Sequence, residues 1–181
     1  MRTPDIVTLS SRIVYQNRWI KVHEDKIQRR DGSEGIYGYI EKANFATVAA
    51  VQDGQIHLVE QYRYPVRERF WELPQGAWDH APDTDPEVLA RGELREETGL
   101  EADEMIDAGE LCLAYGISTH RYHVFMARGL HKGPRNLDTE EQDLITRAFP
   151  LAEVERMICD GIIKDAVTVS ALGLLRLKGL L

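Results

Sequence analysis

Cysteine is scarce in this chain. Only Cys112 and Cys159 occur in 181 residues, which excludes a disulfide framework and makes a reducing, cytoplasmic setting the expectation. No apolar run reaches the roughly 18 residues of a membrane span, and Met1–Ser11 lacks the apolar core of a secretory signal, so no membrane partner is expected. Positive charge is also short: 22 Lys and Arg stand against 30 Asp and Glu, a formal net charge of −8. Such a surface repels a phosphate backbone, and nucleic acid is not expected as a partner. Phosphorylated small molecules stay open wherever a divalent cation sits between protein and phosphate. A Walker loop, a G-x-G-x-x-G fingerprint, a G-x-S-x-G elbow and a Cys/His cluster are all missing. P-loop, dinucleotide-binding, serine-hydrolase and zinc-site readings are therefore set aside.

What the chain does contain is enough apolar material for a real core. Hydrophobic residues make up 43% and charged residues 29%, the balance of a globular domain. The first half reads as strands. Trp19 to Ile27 alternates apolar and polar residues, Asp31-Gly32 marks a turn, and Gly35 to Ile40 returns. Thr47–Val51, the Asp53-Gly54 turn and Ile56–Tyr62 form a second hairpin. Asp85-Pro86 opens a helix that Gly99 ends. Further strands are expected at Met105–Ala114, Arg121–Ala127 and Leu144–Phe149, with helices over Leu151–Asp160 and Asp165–Lys178. The pattern predicts an α/β sandwich with a mixed sheet. Residues 1–45 are expected to be N-terminal antiparallel strands, and 46–181 the larger domain.

The chemistry concentrates on Leu89–Leu100. With about 100° per residue, Glu97 falls about 40° from Glu93 and Glu96 about 60° on its other side. The three carboxylates share one side of the helix, while Arg91 and Arg95 lie opposite. Each such like-charged pair costs roughly 0.2–0.5 kcal/mol when nothing binds there. A solvated face is the ordinary reading of an acidic stripe. The other is a hard divalent cation, which takes carboxylate oxygens together with substrate phosphate oxygens.

Gly76, preceded by Trp71-Glu-Leu-Pro-Gln, and Glu93-Leu-Arg-Glu-Glu-Thr-Gly-Leu100 resemble the Nudix box, G-x5-E-x7-R-E-U-x-E-E-x-G-U with U aliphatic. Looser similarity runs from about Ser11 to the C-terminus, and Asp165–Leu172 resembles the closing helix of ADP-ribose pyrophosphatase-like members. The resemblance implies a Nudix-type α/β/α sandwich and a metal-dependent pyrophosphohydrolase acting on ADP-ribose or another nucleoside-diphosphate sugar. It implies Mg²⁺ or Mn²⁺ held by Glu93, Glu96, Glu97 and the carbonyl of Gln75, with Glu96 and Glu97 catalytic. Glu140 or Glu141, in the acidic loop Asp138–Asp143, is the expected base. Arg63 in Gln61-Tyr-Arg-Tyr-Pro65 resembles a phosphate-binding arginine, with an ion pair to Glu68 or Glu72 as its alternative. The N-terminal strands imply a homodimer that helps form the substrate pocket.

Two positions depart from the box. Its Arg falls on Gly92, its first Glu falls on Thr84, and the loop from Gly76 to the helix is two residues longer. In the family these two groups hold the catalytic loop; Asp83, Asp85 or Arg91 are the candidates to replace them here. Tyr115, beyond the box, is instead similar to dinucleoside polyphosphate hydrolases. Such an enzyme, or a nucleotide-binding module of weak activity, is the alternative expectation.

Overall fold

The computed structural model describes residues 4–78, 81–133 and 143–181, which divide into two compact units. The first comprises residues up to Asn44 together with Cys112–Arg121. Its three strands, β1 (Ile6–Gln16), β2 (Lys21–Arg29) and β3 (Glu34–Glu41), form an antiparallel sheet in that order. The turns are made by side chains that imitate backbone acceptors. Asn17 Oδ1 accepts from Trp19 N and Ile20 N, and Asp31 Oδ1 accepts from Ser33 N beside Gly32, whose φ is 84°.

Strands are expected from Trp19 onward, and β1 precedes that point. Two apolar stretches in β1 are separated by Ser10-Ser11, and register irregularities at Thr8/Ser10 and Ile13/Tyr15 break the alternation on which strand recognition depends.

The second unit comprises Phe45–Leu111 and Tyr122–Leu181. Its centre is β4 (Phe45–Gln52), which runs parallel to β9 (Arg121–Lys132) and antiparallel to β5 (Gln55–Arg63). β8 (Leu100–Cys112) flanks β9, and β10 (Ile145–Pro150) pairs with β5 on its far side. Two short strands complete this seven-stranded mixed sheet: β6 (Glu68–Glu72) pairs with β5, and β7 (Gln75–Gly76) with β4. β6 and β7 fall outside the strands expected from sequence, being too short to show a period.

Phe45 to Ala50 are all buried, as a central strand covered on both faces requires. Ala46, Val48 and Ala50 face one way and pack with Phe125 and Ala127 of β9 under helix α1 (Pro86–Thr98), through Leu89, Ala90 and Leu94. Thr47 and Ala49 alternate to the opposite face and are buried too. Helix α3 (Ala166–Leu177) packs against β4, and helix α2 (Leu151–Cys159) against β10. Among the described residues no helix is long and apolar enough to cross a membrane.

Helix α1 begins and ends where its sequence dictates. Asp85 Oδ1 accepts from Glu87 N and Val88 N, Pro86 fills the first helical turn, and Gly99 stops the helix at φ 69°. Asp85→Ala should therefore lower unfolding free energy by about 1 kcal/mol, read as a smaller denaturation midpoint in urea at unchanged slope.

Candidate active site

One face of α1 carries two acids into the protein instead of out to water. Glu93 is 5% and Glu97 1% exposed, while Glu96, at the edge of the stripe, is half-buried. The solvated-face reading therefore does not apply to Glu93 and Glu97. Burying charge costs several kcal/mol per ion unless partners compensate, so the surroundings of these groups define the site.

The chain arrives at α1 through Leu73-Pro74-Gln75-Gly76. Pro74 O accepts from Val48 N at 2.9 Å and from Thr47 Oγ1 at 3.3 Å, which ties the segment to the central strand. Gln75 N donates to Glu97 Oε2 at 3.0 Å, a backbone amide aimed at a buried carboxylate. Gly76 lies directly against Glu93: a Cβ there would fall 2.3 Å from Oε2 and 2.6 Å from the carboxyl carbon. The glycine is required by space, since any side chain would evict the carboxylate.

Helix α3 supports the same segment from the other side. Thr168 Oγ1 accepts from Leu73 N at 2.9 Å, and Asp165 caps the helix by accepting from Val167 N and Thr168 N. The Oδ2 of Asp165 also accepts from Gln75 Nε2 at 3.1 Å. The side chain and the backbone amide of Gln75 thus serve two different acids.

Behind this segment lies Glu72, 2% exposed and paired with Arg63 through both carboxylate oxygens, Nε donating at 3.2 Å and Nη2 closer. Burial pushes the Glu72 carboxyl up to about 7; Arg63 opposes that shift, and Asp165 adds to it. Arg63 is thus held by Glu72, the ion-pair alternative left open by its sequence. Arg69 is held by Glu60 and Asp143.

Of the residues expected at the site, Gln75, Glu93 and Glu97 come together, with Glu96 on the adjoining edge of the helix. Glu140 and Glu141 lie outside the described residues. Asp85 is occupied as the helix cap, and Arg91 bonds to Glu87 and Ala102 O. Asp83 is exposed, and Thr84 Oγ1 donates to Ala81 O. Glu72, Asp165 and Thr168 were not singled out from sequence as site residues. An acid inside Trp-Glu-Leu-Pro was the available signal for Glu72, and the cap position for Asp165.

Among the described residues no group of three or more His, Cys, Asp or Glu side chains is arranged to hold a metal ion. Two carboxylates with a backbone carbonyl would still be a fitting donor set for a cation that completes its shell from water and phosphate. Glu93, Glu96, Glu97 and the Gln75 carbonyl are hard oxygen ligands, and Mg²⁺ is ordinarily held by one or two carboxylates with the rest of its shell water and phosphate. The cradle at Gly76, which a methyl group would fill, brings backbone close to Glu93 and admits nothing bulkier.

A family model described as the NUDIX domain matches residues 42–166, and one described as the nucleoside diphosphate sugar hydrolase N-terminal domain matches residues 6–40. The chain is 30% identical over 172 residues to an ADP-ribose pyrophosphatase of Mycobacterium tuberculosis, covering 94% of this chain and 83% of that protein. It is 26% identical over 190 residues to a GDP-mannose pyrophosphatase of Yersinia enterocolitica, covering 97% of each. A crystal structure of an ADP compounds hydrolase shares the fold at a TM-score of 0.87 and 21% identity, covering 99% of this chain and 98% of that one.

The raised carboxyl of Glu72 has a consequence for stability. An acid that holds its proton more tightly when folded stabilises the protein while protonated, and that contribution disappears as pH climbs from the ordinary 4.5 to about 7. Glu72→Gln should flatten this decline, so that its stability relative to the parent improves as pH rises from 5 to about 7.5. Urea unfolding at several pH values measures it.

Proposed function

The chain belongs to the Nudix family, and from that premise we propose that it is a divalent-cation-dependent pyrophosphohydrolase of nucleoside-diphosphate sugars, ADP-ribose foremost. The observation that carries this reading is the burial of Glu93 and Glu97 beside the Gln75–Gly76 strand, an arrangement of charge that a dication completes. The N-terminal match to a nucleoside diphosphate sugar hydrolase domain and the relatives named for ADP-ribose and GDP-mannose favour this substrate class.

Glu93, Glu96, Glu97 and the Gln75 carbonyl would hold Mg²⁺ or Mn²⁺. Once bound, the cation neutralises diphosphate oxygens and the charge that develops as the anhydride opens. Water adds across the P–O–P link to give a nucleoside monophosphate and a sugar phosphate. Gln75 N fixes Glu97 Oε2, so the carboxylate meets its ligand without first reorganising. Arg63 gives Nε and Nη2 to Glu72, which leaves Nη1 to donate to a substrate phosphate. The two exposed thiols, Cys112 and Cys159, suit a reducing cytoplasm.

Ile6, Val7, Leu9, Ile13, Val14 and Tyr15 of β1 are 44–55% exposed along a strand at the edge of its sheet. A second copy of the chain would cover them, making a homodimer. Replacing Ile13 with Asp should then shift the molar mass measured by light scattering from dimer to monomer.

Glu97→Gln keeps the shape and the hydrogen bond from Gln75 but removes the charge. It should lower kcat for ADP-ribose in Mg²⁺ by at least about 100-fold while leaving the circular dichroism spectrum unchanged. A folded variant that keeps the parental rate overturns the proposal. Parental protein that binds ADP-ribose yet yields no AMP would instead identify a binding module.

A further inference from the structure

We propose that Trp78 is a positioning residue of the acidic site: its indole, seated on Gly92, locks the Gln75–Gly76 strand onto the face of α1 that carries Glu93 and Glu97. The inference rests on the metal-site reading above.

Gly92 lies inside α1, where glycine costs about 1 kcal/mol relative to alanine. Such a residue persists in a helix for a packing reason, and the reason here is steric. A Cβ at Gly92 would fall 2.2 Å from Cζ2 of Trp78 and 2.8 Å from Cη2. The indole therefore rests on bare helix backbone. It also packs against the apolar cluster of Ala46, Val48, Leu89, Leu94 and Phe125 beneath α1.

Three ties now run in register along the helix. Gln75 N reaches Glu97, Gly76 abuts Glu93, and Trp78 covers Gly92. The chain leaving β7 thus descends α1 one contact at a time, and Trp78 closes the run. The indole also lines a hollow of about 370 Å³ together with Val88, Gly92, Arg95 and His131. At the box position where the family places an arginine to hold this loop, an apolar contact does the holding. Neither Asp85 nor Arg91 does so, each being engaged elsewhere.

The test compares Trp78→Ala, Gly92→Ala, Trp78→Phe and the double variant Gly92→Ala with Trp78→Phe, beside the parent and Glu97→Gln. Mn²⁺ affinity is read by EPR titration of the free ion, with kcat and KM for ADP-ribose and the thermal midpoint measured in parallel, all assays well below that midpoint. Trp78→Ala and Gly92→Ala should each weaken Mn²⁺ binding and lower kcat by about tenfold or more, with a smaller change in KM. The shorter ring of Trp78→Phe removes the atoms that collide with a methyl group, so the double variant should recover most of what Gly92→Ala loses.

A purely structural Trp78 would move the thermal midpoint and leave Mn²⁺ affinity alone. A folded Trp78→Ala that matches the parent in Mn²⁺ affinity and kcat overturns the inference, as does a double variant no better than Gly92→Ala. Should Trp78→Ala fail to fold, the Gly92 pair decides alone. If the parent binds no Mn²⁺ and Glu97→Gln hydrolyses at the parental rate, the metal-site reading itself fails. If both behave as expected and the Trp78 and Gly92 variants are silent, only the positioning role falls.

Discussion

Two carboxylates inside a protein are a debt that its neighbours must service, and the placement of Leu73–Gly76 follows from that. Glu97 receives the amide of Gln75, and Glu93 is met by a glycine with no side chain to displace it. For those two contacts to hold, Pro74 is bonded to β4 on one side and Leu73 to Thr168 of α3 on the other. A segment of four residues is thereby fixed from the sheet and from two helices. Buried charge is weak support for stability as such. Its value here is that it leaves the geometry of the acids with little freedom.

The same segment gathers several acids, a placement that is costly unless partners compensate. Glu72, Glu93, Glu97 and Asp165 all bear on Leu73–Gly76 or its neighbours, and Arg63 answers Glu72 with a full positive charge. The raised carboxyl of Glu72 shows the strain that burial and a neighbouring acid impose even with an arginine in contact. The dication proposed above would offset several carboxylates at once and favour a diphosphate beside them.

Much of the fold was legible because it depends on local rules. The caps of α1 at Asp85 and Gly99, the turns at Asp31-Gly32 and Asp53-Gly54, and the uninterrupted apolar β4 are each written in a few adjacent residues. The shared side of the three Glu was legible from their spacing, and the resemblance to the Nudix box is what marked it as a candidate site. Where sequence fell short, the cause is distance along the chain or brevity. β6 and β7 are too short for a period to show, and β1 is interrupted by its bulges. The bond between Leu73 and Thr168 spans 95 positions, and no local pattern announces it. The residues around Arg63 allow a phosphate ligand or an ion-pair partner, and its pairing with Glu72 becomes visible only once Glu72 is seen buried beside it. Gly92 reads locally as a weakness in a helix; only the indole of Trp78 explains it.

Asp165 ends up with two employers. One of its oxygens serves both the start of α3 and the side chain of Gln75, whose backbone amide in turn holds Glu97 of the acidic helix. It follows that the 13 residues of the acidic helix are not a portable cassette. Transplanted to another scaffold they would carry their charges but not the strap from near the C-terminal end that holds those charges in place, and the graft would inherit the repulsion without the architecture that makes it useful.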